Sequence, residues 1–74
     1  MKVTLYTIHC PACTILEKKM QKKNIPFTVV DDANTLREKG LDKFSFPLLQ
    51  IDNEPIMKLK EANIWVENYG GNNG

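Results

Sequence analysis

The two cysteines of this chain, Cys10 and Cys13, are the residues whose type and spacing predict chemistry. Cysteines separated by two residues can close a small disulfide ring or jointly hold a metal ion. An apolar, β-prone run, residues 3–8, precedes the pair, and a segment of helical composition, residues 14–23, follows it. The cysteines are therefore predicted to lie where a strand turns into a helix.

This position predicts a different role for each cysteine. The first turn of a helix has unpaired N–H groups and a positive partial charge, which stabilise a thiolate and lower its pKa. We therefore expect Cys10 to be the nucleophile. Cys13 shares a helix face with Leu16 and Met20, which predicts a shielded, resolving thiol. Pro11 suits the first helical position, because the N–H that it lacks would have no partner there.

Length and composition limit the function further. The 74 residues suffice for one small domain, which we place at residues 1–69 with a flexible tail at 70–74. A net charge of +1 gives no electrostatic case for binding nucleic acid or an anionic membrane. The apolar runs are too short to span a bilayer, and no secretory signal is recognisable, so we expect a cytoplasmic protein. We also expect it to be a monomer. A disulfide across two residues adds little stability, so a purely structural role for the cysteine pair is a poor explanation. Redox chemistry and metal binding remain as functions for the pair.

The order of predicted elements is βαβαββα, which indicates an α/β fold with a four-stranded mixed sheet flanked by three helices. The first two strands, 2–8 and 27–30, are joined by a helix and should pair in parallel. A short second helix should start at Asp32 or Asn34 and stop at Gly40. Residues 48–51 and 56–59 are predicted to form an antiparallel hairpin. The last helix carries one apolar stripe, formed by Ala62, Trp65, Val66 and Tyr69.

Three segments of the chain resemble glutaredoxin-type members of the thioredoxin superfamily, over roughly residues 1–69. The segment 10–13, Cys-Pro-Ala-Cys, is similar to the family's Cys-Pro-Tyr-Cys, with Ala12 in place of tyrosine. The segment 25–27, Ile-Pro-Phe, resembles the lead into the family's second strand. The segment 45–47, Ser-Phe-Pro, resembles the Thr-Val-Pro whose proline is cis and packs against the cysteines.

The resemblance implies a thioredoxin-like fold and a thiol-disulfide oxidoreductase that reduces protein disulfides or mixed disulfides with glutathione. It implies no bound cofactor and no metal. The implied residues are Cys10 and Cys13 in catalysis, His9, Pro11 and Ala12 in support of the active site, and Ser45, Phe46 and Pro47 in substrate binding.

The same resemblance leaves the electron donor open between glutathione and a thioredoxin reductase. Glutathione-using relatives have a lysine shortly before the first cysteine, where this chain has Thr7, Ile8 and His9. They also have a Gly-Gly pair and an aspartate around the region that corresponds to residues 57–61. We therefore expect glutathione not to be the preferred reductant. The expected partners are oxidised proteins, with ribonucleotide reductase as one candidate.

The alternative function is a soft-metal carrier that binds copper through the same CxxC loop. Position 8 is isoleucine where such carriers have methionine, and the chain ends in a predicted helix rather than in a strand. A structural zinc site usually takes four ligands, and two cysteines with His9 do not complete that set.

The last expectation concerns Pro47, which should be cis and lie against the cysteine pair. If the first and third strands are neighbours, the loop that enters the third meets the loop that leaves the first. A cis bond at this point would turn the backbone N–H and C=O of Phe46 towards an extended substrate segment.

Overall fold

A computed structural model describes residues 1–69, so the tail predicted at 70–74 lies outside the described residues. Its elements are β1 (Val3–Tyr6), α1 (Pro11–Lys22), β2 (Thr28–Val30), α2 (Ala33–Glu38), a 3-10 helix (Leu41–Lys43), β3 (Leu48–Ile51) and α3 (Leu59–Asn68). Strand β1 is central, parallel to β2 and antiparallel to β3. The predicted α/β class with a mixed sheet and three α-helices is confirmed. Among these residues no helix has the length and apolar character needed to cross a membrane.

The sheet has three strands within residues 1–69, so the prediction of a fourth strand at 56–59 is wrong. In this segment Met57 forms one bridge with Leu49, through backbone hydrogen bonds of 2.9 and 2.7 Å. Pro55 has no N–H with which to extend the pairing. On the other side, Lys58 already caps α3, which begins at Leu59. The predicted hairpin arm is therefore reduced to one paired residue.

Both faces of the sheet are covered by helices, because successive strand residues point to opposite sides. Leu5 and Leu49 pack with residues of α1 and α3 on one face. Tyr6 and Leu48 pack with Leu36 of α2 and with the 3-10 helix on the other. The first cluster comprises Val3, Leu5, Leu16, Met20, Ile25, Leu49, Ala62 and Val66, and the second comprises Tyr6, Leu36, Leu41 and Leu48.

Local sequence signals set the ends of the first two helices. Helix α1 begins at Pro11 and is followed by Asn24, whose φ of 59° is left-handed. Helix α2 is capped by Asp32, which accepts the Thr35 N–H at 2.9 Å. Gly40 follows α2 with a φ of 73°, a conformation that glycine adopts without a Cβ penalty. Both helix stops occur where the sequence predicts them.

Candidate active site

Cys10 is the N-cap of α1, at the end of the loop that leaves β1. The Cys10 carbonyl accepts the Thr14 N–H at 2.9 Å, and the Cys10 Sγ accepts the Cys13 N–H at 3.2 Å. The first turn of α1 contains no acidic residue, so nothing there opposes the positive end of the helix dipole. Pro11 stands at the first helical position, as predicted, and Ala12 is half-buried behind it. The sulfur of Cys10 is therefore held where hydrogen-bond donors converge.

The two cysteines differ in exposure. Both are free thiols. Cys10 is half-buried, whereas Cys13 has 0% of its surface exposed and lies on the buried face of α1 with Leu16 and Met20. A molecule that approaches from solvent can reach the sulfur of Cys10 but not that of Cys13. The predicted shielding of Cys13 is confirmed.

The pKa of each cysteine is shifted by contact with the other. Burial, and then the hydrogen bond between its thiol and Cys13, raises the pKa of Cys10, although the backbone of Cys13 and Ala12 acts in the opposite direction. Burial also opposes ionisation of Cys13, yet hydrogen bonds from the Cys10 thiol, Thr7 and Ile8 lower its pKa overall. The two pKa values are therefore shifted in opposite directions, upward for Cys10 and downward for Cys13.

The raised pKa of Cys10 corrects one expectation from the sequence, which was a lowered pKa for this thiol. The pKa of Cys10 by itself is not lowered by the helix terminus, because desolvation and the neighbouring Cys13 outweigh the backbone N–H groups. Of the two thiols, the buried Cys13 is the one whose pKa is lowered. Reactivity towards other molecules is then decided by exposure, which favours Cys10.

Pro47 lies at the site, as predicted. The Phe46–Pro47 peptide bond is cis, and the Pro47 side chain is fully buried. The Cys10 thiol donates a hydrogen bond to the Phe46 carbonyl, with an S···O distance of 3.7 Å across 36 positions of sequence. The register explains this proximity, since the last residue of β1, Tyr6, pairs with the first residue of β3, Leu48. The loops beyond these two strand ends therefore meet.

Ser45 and His9 occupy more exposed positions around the site. Ser45 is exposed, one residue before Phe46. His9 has a left-handed φ of 59°, and its backbone N–H donates to the Thr7 hydroxyl at 2.9 Å. Its ring is directed to the neighbouring loop, where Nε2 lies 2.8 Å from Asp31 Oδ2. His9 therefore joins the loop before Cys10 to the loop after β2.

An apolar groove of about 300 Å³ lies beside the cysteine pair. We call it the α2 groove, since α2 forms one of its walls. Ile8 contributes from the loop after β1, and Phe46 contributes from the loop before β3. The remaining apolar lining comes from Ala33, Leu36 and Phe44. Arg37 and Asp42 add one charge of each sign.

Sequence reasoning did not identify Asp31 or the α2 groove. Asp31 directly follows β2, and the carboxyl ends of parallel strands meet at one edge of a sheet, so its proximity to the cysteine loop was available as a signal. Phe44 also gave a signal, because it is a second large apolar residue, besides Phe46, in the connection before β3. The shape of the groove depends on how α2 packs, which no local pattern specifies.

Within residues 1–69 no group of three or more histidine, cysteine, aspartate or glutamate side chains is arranged to hold a metal ion.

Comparison of the chain with protein-family models, with curated proteins and with solved structures found no match.

Proposed function

We propose that this protein is a glutaredoxin-like thiol-disulfide oxidoreductase, with Cys10 as the nucleophile and Cys13 as the resolving thiol. The observation that carries the proposal is an accessible sulfur at a helix N-cap, 3.2 Å from the N–H of a fully buried second cysteine. The sheet order β2-β1-β3, with helices on both faces and the cysteines at the β1–α1 junction, supports a thioredoxin-like classification of the fold. The Phe46 carbonyl beside Cys10 supports an extended substrate segment that binds at this loop.

The reaction follows from the unequal exposure of the two sulfurs. The Cys10 thiolate attacks one sulfur of a substrate disulfide, so a Cys10–substrate bond forms and the other substrate sulfur leaves as a thiolate. That thiolate takes up the proton which Cys13 gives up, directly or through water. The Cys13 thiolate then attacks the Cys10 sulfur, closes the Cys10–Cys13 disulfide and releases the second substrate sulfur, which is protonated by solvent. The substrate gains the two electrons that the dithiol loses, and glutathione or a thioredoxin reductase restores the dithiol.

Single substitutions separate the two roles. Cys13→Ser leaves the nucleophile in place but removes the resolving thiol, so it should accumulate a mixed disulfide between Cys10 and the substrate. Cys10→Ser should abolish disulfide reduction, because the sulfur of Cys13 is inaccessible. Mass spectrometry of acid-quenched reactions measures both species. A Cys13→Ser variant that turns over without a trapped intermediate, or an active Cys10→Ser variant, would assign the roles differently.

A copper titration distinguishes the oxidoreductase from the soft-metal carrier. The reduced protein is titrated with Cu(I) in competition with a strong chelator, and its disulfide reduction is measured on the same preparation. We expect reduction to proceed without tight, stoichiometric copper binding. Tight binding in a protein that reduces no disulfide would instead support the carrier.

A further inference from the structure

The α2 groove is built from large apolar side chains that are left open to solvent. Ile8 is 56% exposed and Phe44 is 44% exposed. Leu36, which also lines the groove, is buried in the core cluster on this face of the sheet. Concave apolar surfaces of this kind, grouped beside a polar reacting centre, are typical of binding sites. The groove is thus an extension of the core whose apolar lining remains uncovered.

The groove is continuous with the reacting sulfur through one residue, Phe46. The Phe46 side chain lines the groove, and its carbonyl lies 3.7 Å from the Cys10 Sγ. We expect an extended chain whose sulfur bonds to Cys10 to run along this backbone. Since consecutive Cα atoms lie about 3.8 Å apart, the residue next to the substrate cysteine falls beside the groove.

The charges at the groove favour a neutral occupant. Arg37 and Asp42 oppose each other in sign, and the Arg37 guanidinium already donates a hydrogen bond to the Asn34 side chain. Glutathione would bring two carboxylates to a lining that offers one cation and an opposing carboxylate, while the nearby Lys58 ammonium is engaged over the Phe44 ring. A carboxylate that loses water without a partner is destabilised, whereas an apolar side chain gains from the same burial.

We propose that the α2 groove binds the apolar side chain of a residue adjacent to the oxidised cysteine of a protein substrate. The inference rests on the proposed disulfide reduction and specifies its substrates as protein disulfides flanked by a large apolar residue, such as leucine or phenylalanine. The groove volume of about 300 Å³ suits one such side chain. The protein thereby selects substrates by the residue next to their oxidised cysteine, while the backbone at Phe46 binds the substrate main chain.

Single-turnover kinetics test the proposal without a choice of electron donor. The reduced full-length protein is mixed with synthetic peptide disulfides that differ only in the residue next to one cysteine, which is leucine, serine or aspartate, and with glutathione disulfide. Oxidation of the protein is followed by quenched mass spectrometry. We expect the leucine peptide to react about 10-fold faster or more than the serine peptide. The aspartate peptide and glutathione disulfide should have no advantage over serine.

Variants locate the preference in the groove. Phe44→Ser removes one exposed wall, and Ala33→Trp fills the groove from α2, so both should reduce the ratio of the leucine rate to the serine rate towards one. Ile64→Ser is the matched control, because Ile64 is 53% exposed on α3 and does not line the groove. This control should keep the wild-type ratio.

The outcomes separate the two proposals. If the wild type reduces no disulfide at all, the proposed function fails. If it reduces the leucine, serine and aspartate peptides at equal rates, or reduces glutathione disulfide fastest, the oxidoreductase stands and the groove proposal is overturned. A leucine preference that survives both Phe44→Ser and Ala33→Trp overturns the groove as its location.

Discussion

Cys10 and Cys13 influence each other's ionisation, and this influence should be measurable in the pH dependence of Cys10 reactivity. Burial and the hydrogen bond with the Cys13 thiol raise the pKa of Cys10, whereas hydrogen bonds lower the pKa of Cys13. Alkylation of Cys10 should therefore begin at a higher pH than alkylation of a free cysteine. Cys13→Ala removes the neighbouring thiol, whose hydrogen bond and charge raise the pKa of Cys10, and should move the onset to lower pH, whereas Cys13→Ser keeps a hydrogen-bonding hydroxyl and should move it less.

The alkylation rate with iodoacetamide, measured against pH for the three proteins, checks this order. The sign follows from charge, since the thiolate is the reactive form and its fraction rises as the pH passes the pKa. If Cys13→Ala alkylates with the wild-type pH profile, the Cys13 thiol does not shift the pKa of Cys10.

The electron donor is a second question at the scale of single residues. Thr7 is a neutral residue in the loop before Cys10 and is 0% exposed, so it offers no cation to a glutathione carboxylate. The Lys58 ammonium lies 5.3 Å from the centre of the Phe44 ring, a cation–π contact that a carboxylate would have to replace. We expect turnover with thioredoxin reductase to exceed turnover with glutathione and glutathione reductase. Faster glutathione-driven turnover at equal protein concentration contradicts this expectation.

The identity of the site residues was predictable where a local physical rule applies. The CxxC spacing at a predicted strand-to-helix junction indicated Cys10 and Cys13, and strand adjacency placed Pro47 beside them. The opposite pKa shifts of the two cysteines were not predictable, because they depend on the burial of both sulfurs and on hydrogen bonds that only the folded chain provides. His9 illustrates the same limit, since its ring contacts Asp31 across 22 positions of sequence.

At the scale of elements, the N-terminus of α2 depends on the Asp32 cap. Asp32 accepts hydrogen bonds from the Thr35 N–H and hydroxyl, both at 2.9 Å, and these lower the pKa of its carboxyl group. A carboxylate with a lowered pKa in the folded state stabilises the fold above its unfolded-state pKa, and this contribution is lost as the pH falls through the folded-state value. Asp32→Ala should therefore lower the urea midpoint at neutral pH, and its difference from the wild type should shrink in acid.

Asp32→Asn is the matched control for the cap, because asparagine also accepts the N-cap hydrogen bond but does not ionise. Its urea midpoint should stay near that of the wild type at neutral pH and decrease less in acid than the wild-type midpoint does. Equal midpoints for Asp32→Ala and the wild type at neutral pH would show that α2 does not depend on this cap.

The elements that the sequence predicted correctly are those with strong local signals. Helix α1 has a proline start and a regular buried face, and α2 has both a cap and a glycine stop. The fourth strand failed because Ile56, Met57 and Leu59 fit a strand by composition, yet Leu59 belongs to α3. A competition between a short strand and a helix start is decided by packing and is not visible in the pattern of residue types.

At the scale of the whole molecule, the sheet separates two core clusters, and the cluster that contains Leu36 is the one beside the α2 groove. Leu48 and Leu49 are neighbours on β3, and both are 0% exposed. Leu49 packs towards α1 and α3, whereas Leu48 packs with Leu36, which lines the α2 groove. A domain of this size has a stability of about 4–11 kcal/mol, so the loss of one buried leucine removes a large share of it.

Leu48→Ala and Leu49→Ala should each lower the free energy of unfolding by about 2–5 kcal/mol, as measured by urea denaturation. Their effects on substrate choice should differ. Leu48→Ala loosens the cluster against which Phe46 packs, so the ratio of leucine to serine peptide rates should decrease. Leu49→Ala leaves that face of the sheet intact and should keep the wild-type ratio at a temperature where both variants are folded. If both variants lose the ratio equally, the preference follows overall stability rather than the shape of the α2 groove.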